Sequence, residues 1–235
     1  MAGHIRQYHT CTIIITVILL LIDSNLLCNS IRLEYRPSLG QLFTYSEVEV
    51  IEVSDPDEDI DYSIQLMKTI HTERIVDVNE LEDGIITIEL QFTSVEITPP
   101  NESLKRNLLA SSHRIKINRY GMMQGALASA LVGDVNNVFP LHDVDVGDSW
   151  TTTVDGLAKV NTRYTLVSVD ENLVATIDSQ ATINVLEGLG TATASVTLEI
   201  DSRTGVTITR EDTRILQVFS KRTVKTKSRK LIAQE

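Results

Sequence analysis

The sequence predicts a mainly β protein: antiparallel meanders, related by an internal duplication, forming a curved sheet or an incomplete barrel, with a short helical segment near residues 121–133. Three observations carry that prediction. Val (22), Ile (24) and Thr (25) supply 71 of the 235 residues, and β-branched side chains fit a pleated surface better than a helix. Apolar and polar residues alternate with period two over several runs, as they do in strands with one wet face. Short clusters holding Gly, Asn or Asp separate the runs, and these residues tolerate the positive φ of tight reversals.

Residues 1–30 read as a secretory signal. Arg6, His4 and His9 lie in an opening stretch without acids, a 12-residue apolar run follows from Cys11 to Ile22, and Asp23 ends it. The run suits a signal-peptide core and is short for a bilayer span, which takes about 20 residues. Cys28 and Ser30 occupy the −3 and −1 positions of a cleavage after Ser30. The expected location is therefore outside the cytoplasm, periplasmic or extracellular. Two alternatives stay open: an uncleaved anchor through residues 11–22, and lipidation at Cys28, where Leu27 stands in place of the small residue that usually precedes an acylated cysteine. Both cysteines fall in this segment, so a chain starting at Ile31 has no disulfide, no thiol nucleophile and no Cys metal site.

The body follows as one β-rich domain, 31–220. In 191–200, Ala192, Ala194, Val196, Leu198 and Ile200 share a face opposite Thr191, Thr193, Ser195, Thr197 and Glu199. In 85–93, Ile86, Ile88, Leu90 and Phe92 oppose Thr87, Glu89, Gln91 and Thr93. In 63–71, Ile64, Leu66 and Ile70 oppose Ser63, Gln65, Thr69 and His71, and the polar set is expected on the wet side. Glu82-Asp83-Gly84, Asp170-Glu171-Asn172 and Arg203-Thr204-Gly205 are the expected hairpin turns. Residues 99–150 lack Thr altogether. There Met122, Met123, Ala126, Leu127, Ala130 and Leu131 recur with helical spacing before Gly133 and Asp134, and 101–110 suits a helical turn or two.

The duplication rests on the order of features. Gly40-Gln41-Leu42-Phe43-Thr44 matches Gly147-Asp148-Ser149-Trp150-Thr151 at an offset of 107 residues. A hairpin with an acidic turn comes next in each half. Then Ile117-Asn118-Arg119-Tyr120-Gly121 parallels Ile200-Asp201-Ser202-Arg203-Thr204-Gly205. The halves run about 31–121 and 140–220, and 221–235 reads as a basic C-terminal tail.

The strand opener Gly40–Phe43, the run Phe139-Pro140-Leu141 with Val146–Thr151 after it, and the turn from Ile200-Asp201 to Thr204-Gly205 resemble an uncharacterised family of bacterial exported β-rich proteins, some of them lipoproteins, known as a domain of unknown function. The resemblance covers roughly 31–220 and implies no activity. In architecture the chain also looks like the periplasmic lipoprotein-carrier half-barrels, curved sheets with helices closing an apolar hollow.

Chemical motifs are sparse. Asp55-Pro56-Asp57-Glu58-Asp59-Ile60-Asp61 resembles a Ca²⁺ loop, yet Ile60 stands where the loop needs Gly and Leu66 where it needs Glu, so a solvated hairpin loop is expected. His71, His113 and His142 are not spaced as metal pairs. Gly147-Asp148-Ser149-Trp150 is no nucleophile elbow. No metal, cofactor or catalytic residue is expected. The net charge of −11 and pI near 4.9 exclude a nucleic-acid-coating protein. Charge is uneven: 46–102 carries −14, and 211–235 carries +4. Lys221, Arg222, Lys225, Lys227, Arg229 and Lys230 would either touch an anionic envelope surface or discourage pairing at a solvated edge strand.

The resulting expectation is a non-catalytic envelope protein that binds an apolar ligand such as a lipid, with Met122, Met123, Leu127, Leu131 and Trp150 lining the site. The alternative is a structural or interaction module with a filled core. The first requires a cavity of roughly 300 Å³ or more.

Overall fold

In the computed structural model the described residues are 30–55, 60–79, 84–124, 139–155, 159–185 and 190–235. Their elements in order are β1 Leu42–Asp55, β2 Ile60–Asn79, β3 Ile85–Thr98, α1 Glu102–Ala110, β4 Ser112–Ile117, β5 Met123–Gln124, β6 Ser149–Asp155, β7 Lys159–Val169, β8 Val174–Val185, β9 Gly190–Asp201, β10 Thr207–Val218 and β11 Lys221–Gln234. All strands pair antiparallel in one sheet of order β5-β4-β3-β2-β1-β11-β10-β9-β8-β7-β6. Two meanders, β1–β5 and β6–β11, thus join side by side through β1 and β11, from Phe43 opposite Gln234 to Ser54 opposite Arg222. β5 and β6 are the edges, and the sheet is not closed.

The core lies toward one end of the sheet and is shared by both meanders. Phe43 and Tyr45 of β1, Ile75 of β2, Ile86 and Ile88 of β3 meet Trp150, Tyr164, Leu166, Ile177, Leu198 and Ile200 of the second meander. Two extended segments cover this end. Ile31 and Val144 bridge through N–H···O bonds of 2.9 and 3.0 Å. Tyr35 donates its N–H to Arg119 O at 2.7 Å, Arg36 to Thr204 O at 2.7 Å, and Phe139 to Tyr120 O at 2.8 Å. The 31–36 strap therefore crosses from the β4–β5 turn to the β9–β10 turn. It drops Leu33, fully buried, and Tyr35 onto the core.

The positions matched by sequence are built alike. Gly40 (φ +86°) and Gly147 (φ +97°) each sit two residues before a strand. Gly40 N–H reaches Ile75 O at 2.9 Å and Ile75 N–H returns to Gln41 O at 2.9 Å; Gly147 N–H reaches Leu166 O at 2.7 Å and Leu166 N–H returns to Asp148 O at 3.0 Å. The Gln41 side chain accepts from Ser38 N–H, as Asp148 accepts from Asp145 N–H. At the other turn pair, Asn118 Oδ1 accepts Tyr120 N–H at 3.1 Å and Asp201 Oδ1 accepts Arg203 N–H at 3.0 Å. In each case the short side chain caps the reversal two residues on.

Three expectations change in detail. The described residues of the expected 121–133 helix are turn and strand: Met123–Gln124 is β5, paired to Lys116 and Ile117; residues 125–133 lie outside the described residues. The helix that is described is α1, whose N-cap Asn101 accepts Leu104 N–H at 3.0 Å. Second, 221–235 is not a tail. It forms β11 in the middle of the sheet, because its alternating bases find the acidic strand β1 beside them. Third, the polar face of β2 points inward: Thr69 and His71 are buried, while Ile64 is half exposed.

Candidate functional site

The inversion of β2 is part of a larger pattern on the inner face of the four central strands. In β1, Glu47 and Glu49 alternate with Val48 and Val50, and the glutamates are the buried set. Since Tyr45 must face the core, period-two geometry sends residues 47 and 49 the same way. Opposite them, Lys225, Lys227 and Arg229 of β11 take the inward positions by the same rule. The carboxylates and cations then pair across and along the strands. Lys227 Nζ lies 3.0 Å from Glu47, Lys225 Nζ 2.8 Å from Glu49, and Arg229 Nη2 2.7 Å from Glu73 of β2. On β10, Asp212 is bound by both Arg210 (2.9 Å) and Arg214 (2.6 Å). Each lysine reaches the glutamate diagonal to it, a spacing that long side chains span.

At the core end of this stripe, rings and charges stack. The Arg229 guanidinium lies 3.6 Å above the centre of the Tyr45 ring. His71 stacks on Tyr45 at 5.6 Å and meets Phe92 edge-on at 5.7 Å. Burial alone would raise the Glu73 carboxyl, but the Arg229 charge, with His71 beside it, more than offsets this and holds it at about 2. Burial, then the Glu73 charge, push the Tyr45 phenol up, and it stays neutral. His71 is 2% exposed, and its Nε2 stands 3.5 Å from Glu73. Neither of its ring nitrogens makes a hydrogen bond among the described residues, nor does Arg229 Nε.

These groups form one wall of a cavity of about 400 Å³. Glu47, His71, Glu73, Arg210, Lys227 and Arg229 lie on the polar side; Ile88, Leu90 and Phe92 of β3, Ile115 and Ile117 of β4, Met123 of β5 and Phe139 supply the apolar side. Tyr35 of the strap and Gly205 also line it.

Of the residues expected to line a site, Met123 does so. Met122, its neighbour on the opposite face, is 46% exposed. Trp150 belongs to the packed core, stacked on Tyr164 at 5.6 Å. Leu127 and Leu131 lie outside the described residues. The six cations expected at a common surface divide: Lys225, Lys227 and Arg229 turn inward to their ion pairs. Composition hides the polar wall, because an acidic stretch and a basic stretch each read as solvated. The legible signal was their equal period of two.

Glu73 makes stability pH-dependent in a stated direction. Its carboxyl falls from 4.5 to about 2 on folding. Its contribution is therefore complete above pH 4.5 and is lost as pH drops toward 2. The stability lead of the wild type over Glu73→Gln should shrink across that window in urea titrations, the other acids cancelling between the two proteins. A lead unchanged from pH 6 to pH 2.5 would refute the assignment.

Among the described residues no group of three or more His, Cys, Asp or Glu is placed to hold a metal, and no helix is long and apolar enough to cross a membrane.

Comparisons with known proteins agree with this picture at the level of fold. The model of a family of unknown function, DUF6263, matches residues 129–212, a stretch that holds Phe139–Leu141, Val146–Thr151 and the Ile200–Gly205 turn. No curated protein matches the chain. A solved structure described as "Lipid-protein interactions in lipovitellin" is similar over 84% of this chain, with a TM-score of 0.57 and 9% sequence identity. The chain spans 26% of the length of that one. The likeness shows a shared sheet architecture.

Proposed function

We propose that this chain is a non-catalytic binding protein whose inner face takes up an apolar or amphipathic molecule such as a lipid, and that it acts outside the cytoplasm after passage directed by residues 1–30. The observation that carries the binding reading is the cavity of about 400 Å³ with one wall of Ile, Leu, Phe and Met side chains, within the size range of ligand sites. Met123 and the β3–β4 isoleucines offer adaptable apolar contact of the kind such sites use. The fold shared with a protein whose structure concerns lipid–protein interactions supports the same reading. The export reading is supported by the apolar run Cys11–Ile22 and the small residues at 28 and 30.

Native mass spectrometry of protein purified without detergent tests the first part. Adducts of lipid mass are expected, and Ile115→Asp, which places a charge on the apolar wall, should abolish them while leaving the folded charge-state envelope intact. A protein that carries no lipid and gains none on incubation with lipid vesicles would favour the structural module with a filled interior. For export, the N-terminal sequence of protein recovered outside the cytoplasm should begin at Ile31; an intact Met1 end would point to the anchor.

A further inference from the structure

The polar wall specifies the head of the bound molecule. Resting on the reading of the cavity as a lipid site, we infer that the ligand is an amphiphile with a carboxylate-type anionic head, seated against His71, Lys227 and Arg229, with its chain along Ile88, Leu90 and Ile115.

The first argument is the unfilled hydrogen-bonding capacity at that spot. His71 is 2% exposed and lines the cavity, yet among the described residues its Nδ1 has no hydrogen-bond partner and its Nε2 has only the Glu73 carboxylate at 3.5 Å, which Arg229 already holds at 2.7 Å. Arg229 Nε–H, on the same wall, is a buried donor without an acceptor. A buried polar group left unmade is costly, and such groups in folded proteins are ordinarily satisfied. Arg229 and Lys227 are donors only, and the imidazole presents an N–H in either tautomer and two when charged. What completes this set is an acceptor.

The second argument is charge. Among the described residues the inner-face carboxylates are each engaged, Glu47 by Lys227, Glu49 by Lys225, Glu73 by Arg229 and Asp212 by Arg210 and Arg214. Glu47 and Glu73 also line the cavity, but each is already engaged, by Lys227 and by Arg229. A further carboxylate enters a wall whose acceptors are committed and where Arg229 Nε–H lacks an acceptor. An ammonium head would meet only engaged carboxylates and the cations beside them.

The third argument is layout. The charged groups come from β1, β2, β10 and β11 and most of the apolar ones from β3, β4 and β5, where His113 of β4 is the polar exception, exposed and bonded to Ser111 Oγ at 3.0 Å. The cavity thus has a wet wall and a greasy wall, which matches one molecule with two ends better than a wholly apolar one.

Isothermal titration calorimetry of the full chain with dodecanoate, dodecanol and dodecylamine tests this. Dodecanoate should bind about tenfold more tightly than dodecanol, the equivalent of one charge-assisted hydrogen bond, and more tightly still than dodecylamine. His71→Phe and the double variant Glu47→Gln/Lys227→Met, which leaves no bare carboxylate in place of the 3.0 Å pair, should each bring dodecanoate down to the dodecanol value measured on the same variant. Equal affinity for all three, or preference for the amine, overturns the head assignment and leaves the apolar cavity standing. Binding of none of the three overturns both. A preference for dodecanoate that survives in both variants places the head elsewhere and overturns the seat assigned here.

Discussion

Arg229→Met should cost about 3–5 kcal/mol of folding stability, the range found when one partner of a buried ion pair is removed. Arg229 holds Glu73 at 2.7 Å and covers the Tyr45 ring at 3.6 Å. Without it, a carboxylate that is 12% exposed keeps its charge or takes up a proton inside the sheet, and either is expensive. The lost guanidinium–ring contact adds to the loss. The double variant Glu73→Gln/Arg229→Met should recover most of the deficit, since an apolar–neutral pair leaves no bare charge. Arg203→Met is the control: its pair with Asp201 is made by a side chain 65% exposed, and such surface pairs are worth about 0–1 kcal/mol. Urea denaturation of the four proteins decides the matter. An Arg229 deficit no larger than that of Arg203 would mean that the inner stripe is solvated and structurally idle.

Gly205→Ala is expected to be the second severe change, at about 3 kcal/mol or more. Gly205 has φ +68°, a conformation that strains any residue with a Cβ. The larger effect is steric. A Cβ there would lie 2.3 Å from the Glu34 carbonyl oxygen and 2.9 Å from Tyr35 Cα, so the strap must lift. Lifting it breaks the Arg36–Thr204 bond and withdraws Leu33 and Tyr35 from the core. Gly147→Ala separates strain from collision, because Gly147 has φ +97° and nothing within 4 Å of the added carbon. It should cost about 1–2 kcal/mol. Trypsin should then cut the Gly205 variant after Arg32, in the strap, faster than it cuts wild type or the Gly147 variant. Equal stability of the two alanine variants would show that the strap is not seated on this turn.

The sheet was legible because its outer strands obey the simplest rule. β9 alternates small apolar and threonine side chains, and its Ala194, Val196, Leu198 and Ile200 are the buried set. The turn residues Asn118, Asp170 and Asp201 were legible because their side chains bond backbone close by in sequence. The central strands were misread, and for one reason. Alternation tells which residues share a face but not which face is inside. In β2 the apolar set Ile64, Leu66 and Ile70 invites the wrong choice. The inward position of His71 and Glu73 follows only from partners far away in the chain, Tyr45 and Arg229. The same holds for the basic stretch at 221–230, whose charges looked solvated until β1 was known to lie beside it.

Continuity of the polypeptide and continuity of the sheet run along different lines in this molecule. The covalent connection between the meanders joins β5 to β6, the two strands farthest apart in the strand order, whereas the neighbours at the join, β1 and β11, are remote in sequence. A single proteolytic nick between β5 and β6 therefore severs no ladder. The two fragments would stay clasped by backbone bonds, interleaved ion pairs and a common apolar floor, and would come apart together rather than in turn.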